Sequence, residues 1–136
     1  KNPLLQALDP TASNPPISHQ INFDFIPEYP TFTNILDHPV SRGVSKFQSR
    51  GMPEMRSVNP AAKVLIKSEK GLPVLLALEY GKGRVVIIGD AKWLQPQPLT
   101  KADNARLLLN IFNWLAHEKP VKVSNQQLKK EVDHSF

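Results

Sequence analysis

The chain of 136 residues has no cysteine. That excludes disulfides, thiolate nucleophiles and Cys-ligated metals. It is equally at home in cytoplasmic and extracytoplasmic (envelope-associated) surroundings, so it leaves localisation open. No apolar run nears the roughly 20 residues that a membrane-spanning helix needs. Glycine is scarce too, with six in all, yet two of them enclose a lysine in Gly81-Lys82-Gly83, between the most apolar stretches of the chain. Catalytic signatures are equally sparse. No G-x-S-x-G elbow occurs, and Ser13, Ser18, Ser41, Ser45, Ser49, Ser57, Ser68 and Ser124 stand in no nucleophile pattern.

What is present is a hydrophobic fraction of 40% and a charged fraction of 21%, ordinary for a globular domain of this length. The net charge of +5 is unevenly spread. Residues 1–60 are neutral, residues 61–116 carry eight basic against four acidic side chains, and residues 117–136 carry four against three. The excess consists of lysines scattered among strands and turns, without the Arg/aromatic interleaving of a single-strand platform. Nucleic-acid binding is therefore the weakest reading.

The run Pro73–Asp90 (PVLLALEYGKGRVVIIGD) organises the chain. Two apolar runs around a short glycine-containing break predict a β-hairpin. Both flanks being strands, Gly81-Lys82-Gly83-Arg84 is a turn and not a phosphate loop, which needs a helix after its glycines. Ala61–Ser68 predicts a further strand and Glu69–Pro73 a turn. Thr31–Leu36 reads as an extended or short helical piece, and Asp37–Val44 as a turn. Trp93–Pro98 reads as a loop.

Thr100–His117 predicts the one strong helix. Thr100 is its expected cap with Asp103 as acidic partner, and Ala105, Leu108, Leu109, Phe112 and Leu115 form the expected buried face. Pro120 is its expected stop. Residues 10–60 hold eight of the thirteen prolines and predict a long irregular segment. Inside it Ser18–Phe25 alternates like a strand, and Asn2–Leu8 before it predicts a short capped helix. Asn125–Val132 predicts a weaker helix in a peripheral extension, 118–136.

Four histidines (His19, His38, His117, His134) lie far apart without metal-ligand spacing, and His19 with Asp24 and Glu28 is the best local set. No metal and no cofactor is expected. The side chains nominated for ligand binding are Asp90, Trp93, Asn104 and His38. Asp90 ends an apolar strand, where open α/β sheets place their sites. Its structural alternative is a latch that accepts hydrogen bonds from backbone or from Asn104. Trp93 is first a loop anchor, Trp114 a helix-end core residue, and His38 a turn histidine bonded to backbone.

Pro73–Asp90, followed by Asp103–Leu115 (DNARLLLNIFNWL), resembles the C-terminal end of class I glutamine amidotransferase-like domains. It is most similar to the non-catalytic branch of GldG-like gliding and ABC-transporter-associated proteins, the intraflagellar-transport relative and ThuA-like proteins. Asp37–Val44 resembles the segment that precedes these strands, and Asn2–Leu8 a helix after the family's central strands. The likeness covers about residues 2–117. It implies an α/β fold, a flavodoxin-like sandwich ending in an antiparallel hairpin and closing helix. It further implies that residues 1–117 supply only the second half of the domain, with strands and nucleophile elbow before Lys1.

In the amidotransferases a His-x-Glu pair follows the strand that Arg84–Ile88 matches, whereas here Gly89-Asp90-Ala91 stands there. The resemblance therefore implies no glutaminase, and a binding or assembly module within an envelope or transport-associated complex. Its partner is expected to be a protein, its own N-terminal half, a second copy or a sugar-like ligand. The alternative is ThuA-like carbohydrate chemistry or a hydrolase completed by that N-terminal half.

Overall fold

The structure, a computed structural model, describes residues 30–49, 55 and 59–135. Expectations for Asn2–Leu8, Ser18–Phe25 and the His19/Asp24/Glu28 set lie outside the described residues. The described part is mixed α/β. Its strands are β1 (Thr31–Phe32), β2 (Asn34–Ile35), β3 (Phe47–Gln48), β4 (Lys63–Lys67), β5 (Pro73–Tyr80) and β6 (Gly83–Ile88). Its helices are α1 (Pro96–Leu99), α2 (Asn104–Leu115) and α3 (Asn125–Ser135), with a 3-10 turn at Lys92–Leu94. β1 pairs with β3, and the main sheet runs β2-β4-β5-β6 with every neighbouring pair antiparallel.

The hairpin forms as the sequence predicts. β5 and β6 pair from Leu75↔Ile88 to Tyr80↔Gly83 across the two-residue turn Gly81-Lys82. Gly81 takes φ +57, the left-handed value that a primed hairpin turn asks of its first central residue. Val74 to Leu78 are all buried, because both faces of β5 are covered. On one face Leu75 and Ala77 join Leu65, Ile66, Val40, Phe47, Trp93, Leu99, Leu107, Ile111 and Trp114. On the other, Leu76 and Ile87 pack with Met55, Val64 and Val85. A register shift in β4 between Val64 and Ile66 lets adjacent Leu65 and Ile66 enter the same core, as a bulge does.

Three expectations need correction. The predicted loop Trp93–Pro98 is the 3-10 turn followed by α1, whose Pro96 sits in the first turn where a missing N–H is harmless. Thr100 does not cap the long helix. It closes α1, its hydroxyl donating to the carbonyl of Gln97 at 2.7 Å, and α2 begins at Asn104 with Asp103 as N-cap residue but no side-chain capping bond.

The expected inner face of α2 is also rotated. Leu107, Ile111 and Trp114 point inward, Leu108 and Leu115 pack at the margin, and Phe112 is 62% exposed. The rotation follows from Asn104, Arg106 and Asn110, which are buried because their polar atoms find partners inside. A count of apolar positions alone assigns such residues to solvent. α2 ends before Pro120 in a Schellman motif. His117 takes φ +58, its N–H donating to Trp114 at 3.1 Å, while that of Glu118 donates to Asn113 at 2.8 Å.

Candidate functional site

The two ends of α2 carry different chemistry. At its N-terminal end a polar knot ties the segment 42–48 to the helices. The Oδ2 of Asp103 accepts from the Ser45 N–H (2.9 Å), the Ser45 hydroxyl (3.0 Å) and the Lys46 N–H (3.2 Å), and its Oδ1 accepts from Asn125 at 3.0 Å. Burial works against the charged carboxylate, but these bonds outweigh it and hold its pKa below the ordinary value. Asn125 also donates to the Gly43 carbonyl and accepts from Arg106, which bonds Val121. Asn110 donates to the Arg42 carbonyl at 2.7 Å. The segment from 118 onward, expected to be peripheral, is thus pinned at Val121 and Asn125.

Asn104 is fully buried. Its Oδ1 accepts from the Gln48 N–H at 3.0 Å, and its Nδ2 donates to the carbonyls of Gln48 (2.7 Å) and Pro98 (2.9 Å). The side chain works as one more rung beside β3. It makes no hydrogen bond to Asp90 among the described residues, so of the two donors predicted for the Asp90 latch, backbone or Asn104, the backbone is the one found. Among the described residues Asp90 accepts only from its neighbour, the Ala91 N–H, at 2.9 Å, and its Oδ2 is buried without a partner. Trp93 is a loop anchor as expected, buried edge-on against Phe47 at 5.2 Å, though its indole N–H has no acceptor.

His38 lies at the other end of α2. Its ring stands edge-on to Trp114 at 5.1 Å, and ten residues of helix at 1.5 Å each separate Trp114 from Asn104 by about 15 Å. Three of the nominated residues, Asp90, Trp93 and Asn104, therefore gather towards one end of the fold and the fourth stands at the opposite end. His38 makes the backbone bond expected of a turn histidine. The Val40 N–H donates to Nδ1 at 3.1 Å, so the neutral ring carries its proton on Nε2. Burial chiefly, then the Lys63 charge, lowers its pKa, against an opposing pull from Glu79.

Around His38 and Trp114 the hairpin end forms a cleft in two hollows. One, of about 370 Å³, is lined by Pro39, Arg42, Asn113, Trp114, His117 and Glu118 among others. Its neighbour, of about 450 Å³, shares Pro39, Arg84 and Trp114 and reaches Lys63 and Glu79. Arg84 holds the wall between them. Its Nη1 donates to the Trp114 carbonyl at 2.7 Å and its guanidinium carbon lies 4.9 Å from the centre of that indole. A cation over an aromatic face and at a helix C-terminus is favoured twice. Glu79, directly opposite across the hairpin, approaches Nε at 3.4 Å.

The buried Nδ2 of Asn113, like the Nε of Arg84 beside it, has no acceptor within hydrogen-bond geometry. Arg42 is mostly exposed and only loosely paired with Asp37 at 3.9 Å. The cleft thus presents donors from Arg42 and His117 and an acceptor in Glu118 to whatever enters, with the covered Asn113 amide in its wall. Sequence reasoning missed Arg84 and Asn113. Arg84 was legible as the one charge within an apolar strand, set opposite Glu79 by a two-residue turn. Asn113 had no such signal.

Among the described residues, no group of three or more His, Asp or Glu could hold a metal ion, and no helix is long and apolar enough to cross a membrane. Compared with protein-family models, curated proteins and solved structures, the chain matches none.

Proposed function

We propose that this chain is a non-catalytic binding and assembly module of the amidotransferase-like kind, which takes a small hydroxyl-rich, sugar-like ligand in the cleft at the hairpin end. The observation that carries this reading is the buried Asn113 Nδ2 without an acceptor, in the wall of a hollow of about 370 Å³. A buried donor left unpaired costs about 1–3 kcal/mol, and a ligand oxygen removes that cost once the amide turns into the hollow. Arg42, His117 and Glu118 add donors and an acceptor around it, the mixed set that a polyol engages. Pro39, Pro120 and Trp114 complete an apolar wall.

Two groups on which catalysis could draw are already engaged. All three polar contacts of Asn104 go to backbone, and Nδ1 of His38 is taken by Val40. A flavodoxin-like sandwich is the fold we propose. An antiparallel hairpin followed by an amphipathic helix laid against β6 supports it. The setting in an envelope or transport-associated complex rests on the resemblance alone.

The test is a titration of the nitrogen-15-labelled chain with D-glucose and with D-glucuronate at millimolar concentration. Shifts are expected at the Asn113 side-chain amide, Arg42 and His117, and they should vanish in Asn113→Leu. That variant keeps its fold, since the amide nitrogen has no bond to lose. Absence of shifts with both sugars, or shifts gathered around Asp90 and Trp93 instead, overturns the proposal.

A further inference from the structure

Among the described residues β6 is an outer strand of the main sheet, after β5 in the order β2-β4-β5-β6. Its hydrogen-bond phase can be read from one contact. The Gly89 N–H donates to Val74 at 3.3 Å, so Gly89 and, by the alternation of antiparallel ladders, Ile87, Val85 and Gly83 turn their backbone groups towards β5. The N–H and C=O groups of Arg84, Val86 and Ile88 therefore point outward, and none has a backbone partner among the described residues. Natural edge strands are usually guarded by lysine, proline or an inward charge. Here the inward charge is Arg84, at the turn end of the strand, and beyond it Val85 to Ile88 reads Val-Val-Ile-Ile with no further guard.

We infer that the outer edge of β6 pairs antiparallel with β6 of a second copy of this chain, about a two-fold axis at Val86. This goes beyond the cleft and its ligand. A dyad at Val86 engages every outward group: two bonds across Val86 and its copy, and two at each Arg84–Ile88 pair. It sets Val85 against Ile87 on one face, a β-branched pair, and it places Arg84, the one charge in the strand, against Ile88 and not against its own copy. Dyads at Val85 or Ile87 leave Ile88 or Arg84, respectively, without an opposing residue inside β6. The self-complementary register is the reason for committing to a second copy as the occupant.

α2 lends a second layer. It lies against β6, and its Arg106–Asn110 flank is tied to the 42–43 turn, Val121 and Asn125. Helical periodicity puts Leu108, Phe112 and Leu115 on the opposite flank, where Phe112 is exposed. Directly opposed side chains of an antiparallel pair share a face, so both copies carry α2 on the same side of the joined sheet, with the Phe112 flanks turned towards the axis.

Sedimentation of the intact chain at micromolar concentration is the test, and a dimer is expected. In Val86→Pro the only backbone donor removed points outward, which an edge strand tolerates, so the variant should melt near wild type and sediment as a monomer. The chain lacks cysteine, so a single Val86→Cys should oxidise to a disulfide-linked dimer, while Lys82→Cys at the turn should not. This pair decides the matter even if the proline variant fails to fold. A wild-type monomer overturns the proposal, and one whose Arg84, Val86 and Ile88 amides resist hydrogen exchange assigns the edge to the chain's own preceding segment. So does a dimer that survives Val86→Pro, or equal cross-linking of the two cysteine variants.

Discussion

Replacing Asn104 by alanine removes three hydrogen bonds in one step, those to the N–H and C=O of Gln48 and to the C=O of Pro98. Each is worth about 1 kcal/mol net, and a polar group stranded in the interior costs about 1–3 kcal/mol. Asn104 is fully buried and Pro98 is buried beside it, so water does not readily replace the lost partner. The expected loss is about 3 kcal/mol. With an unfolding entropy of about 2 cal/mol/K per residue, a chain of 136 residues should then melt about 10 °C lower.

Asp90→Ala is the contrasting perturbation. It deletes one local bond to Ala91 and a buried oxygen that has no partner, and should cost less than about 1 kcal/mol. Thermal melts of the two variants, followed by circular dichroism and checked by urea titration, compare them directly. Equal destabilisation, or a larger effect at Asp90, would refute the assignment of Asn104 as the clasp between α2 and β3. Asn104→Asp sharpens the test. It preserves size and the acceptor for Gln48, but it faces two carbonyls without a donor and should be worse than alanine.

Two pH responses follow from the same contacts. The folded chain holds the carboxyl of Asp103 below its ordinary value, so the stability it lends is complete above about pH 4 and drains away as pH falls through the folded value. Urea midpoints of Asp103→Asn should be lower than wild type at pH 7, and their decline between pH 4 and 2 shallower; parallel curves would refute this. His38 titrates below its usual value. The unfolded chain therefore binds a proton that the native state resists, and stability should fall as pH drops below about 6.5. Proton NMR should place the His38 midpoint below the ordinary imidazole value of about 6.5, and a midpoint at or above it would refute the buried, Val40-bonded ring.

The amino-acid order by itself determined the hairpin, a turn within Gly81-Lys82-Gly83, a strand within Ala61–Ser68, the backbone-bonded histidine at His38 and the anchoring of Trp93. These rest on interactions that are local or set by glycine, or on apolar runs that must be buried wherever they lie. The phase of α2, the clasp at Asn104 and the cleft around Asn113 were decided by tertiary structure. Asn104, Arg106 and Asn110 look like surface residues in a linear count, and partners as far as 56, 19 and 68 positions away, respectively, allow them inside. A polar side chain is buried when its bonds are met, and which residues will meet them is settled by the chain's path through space.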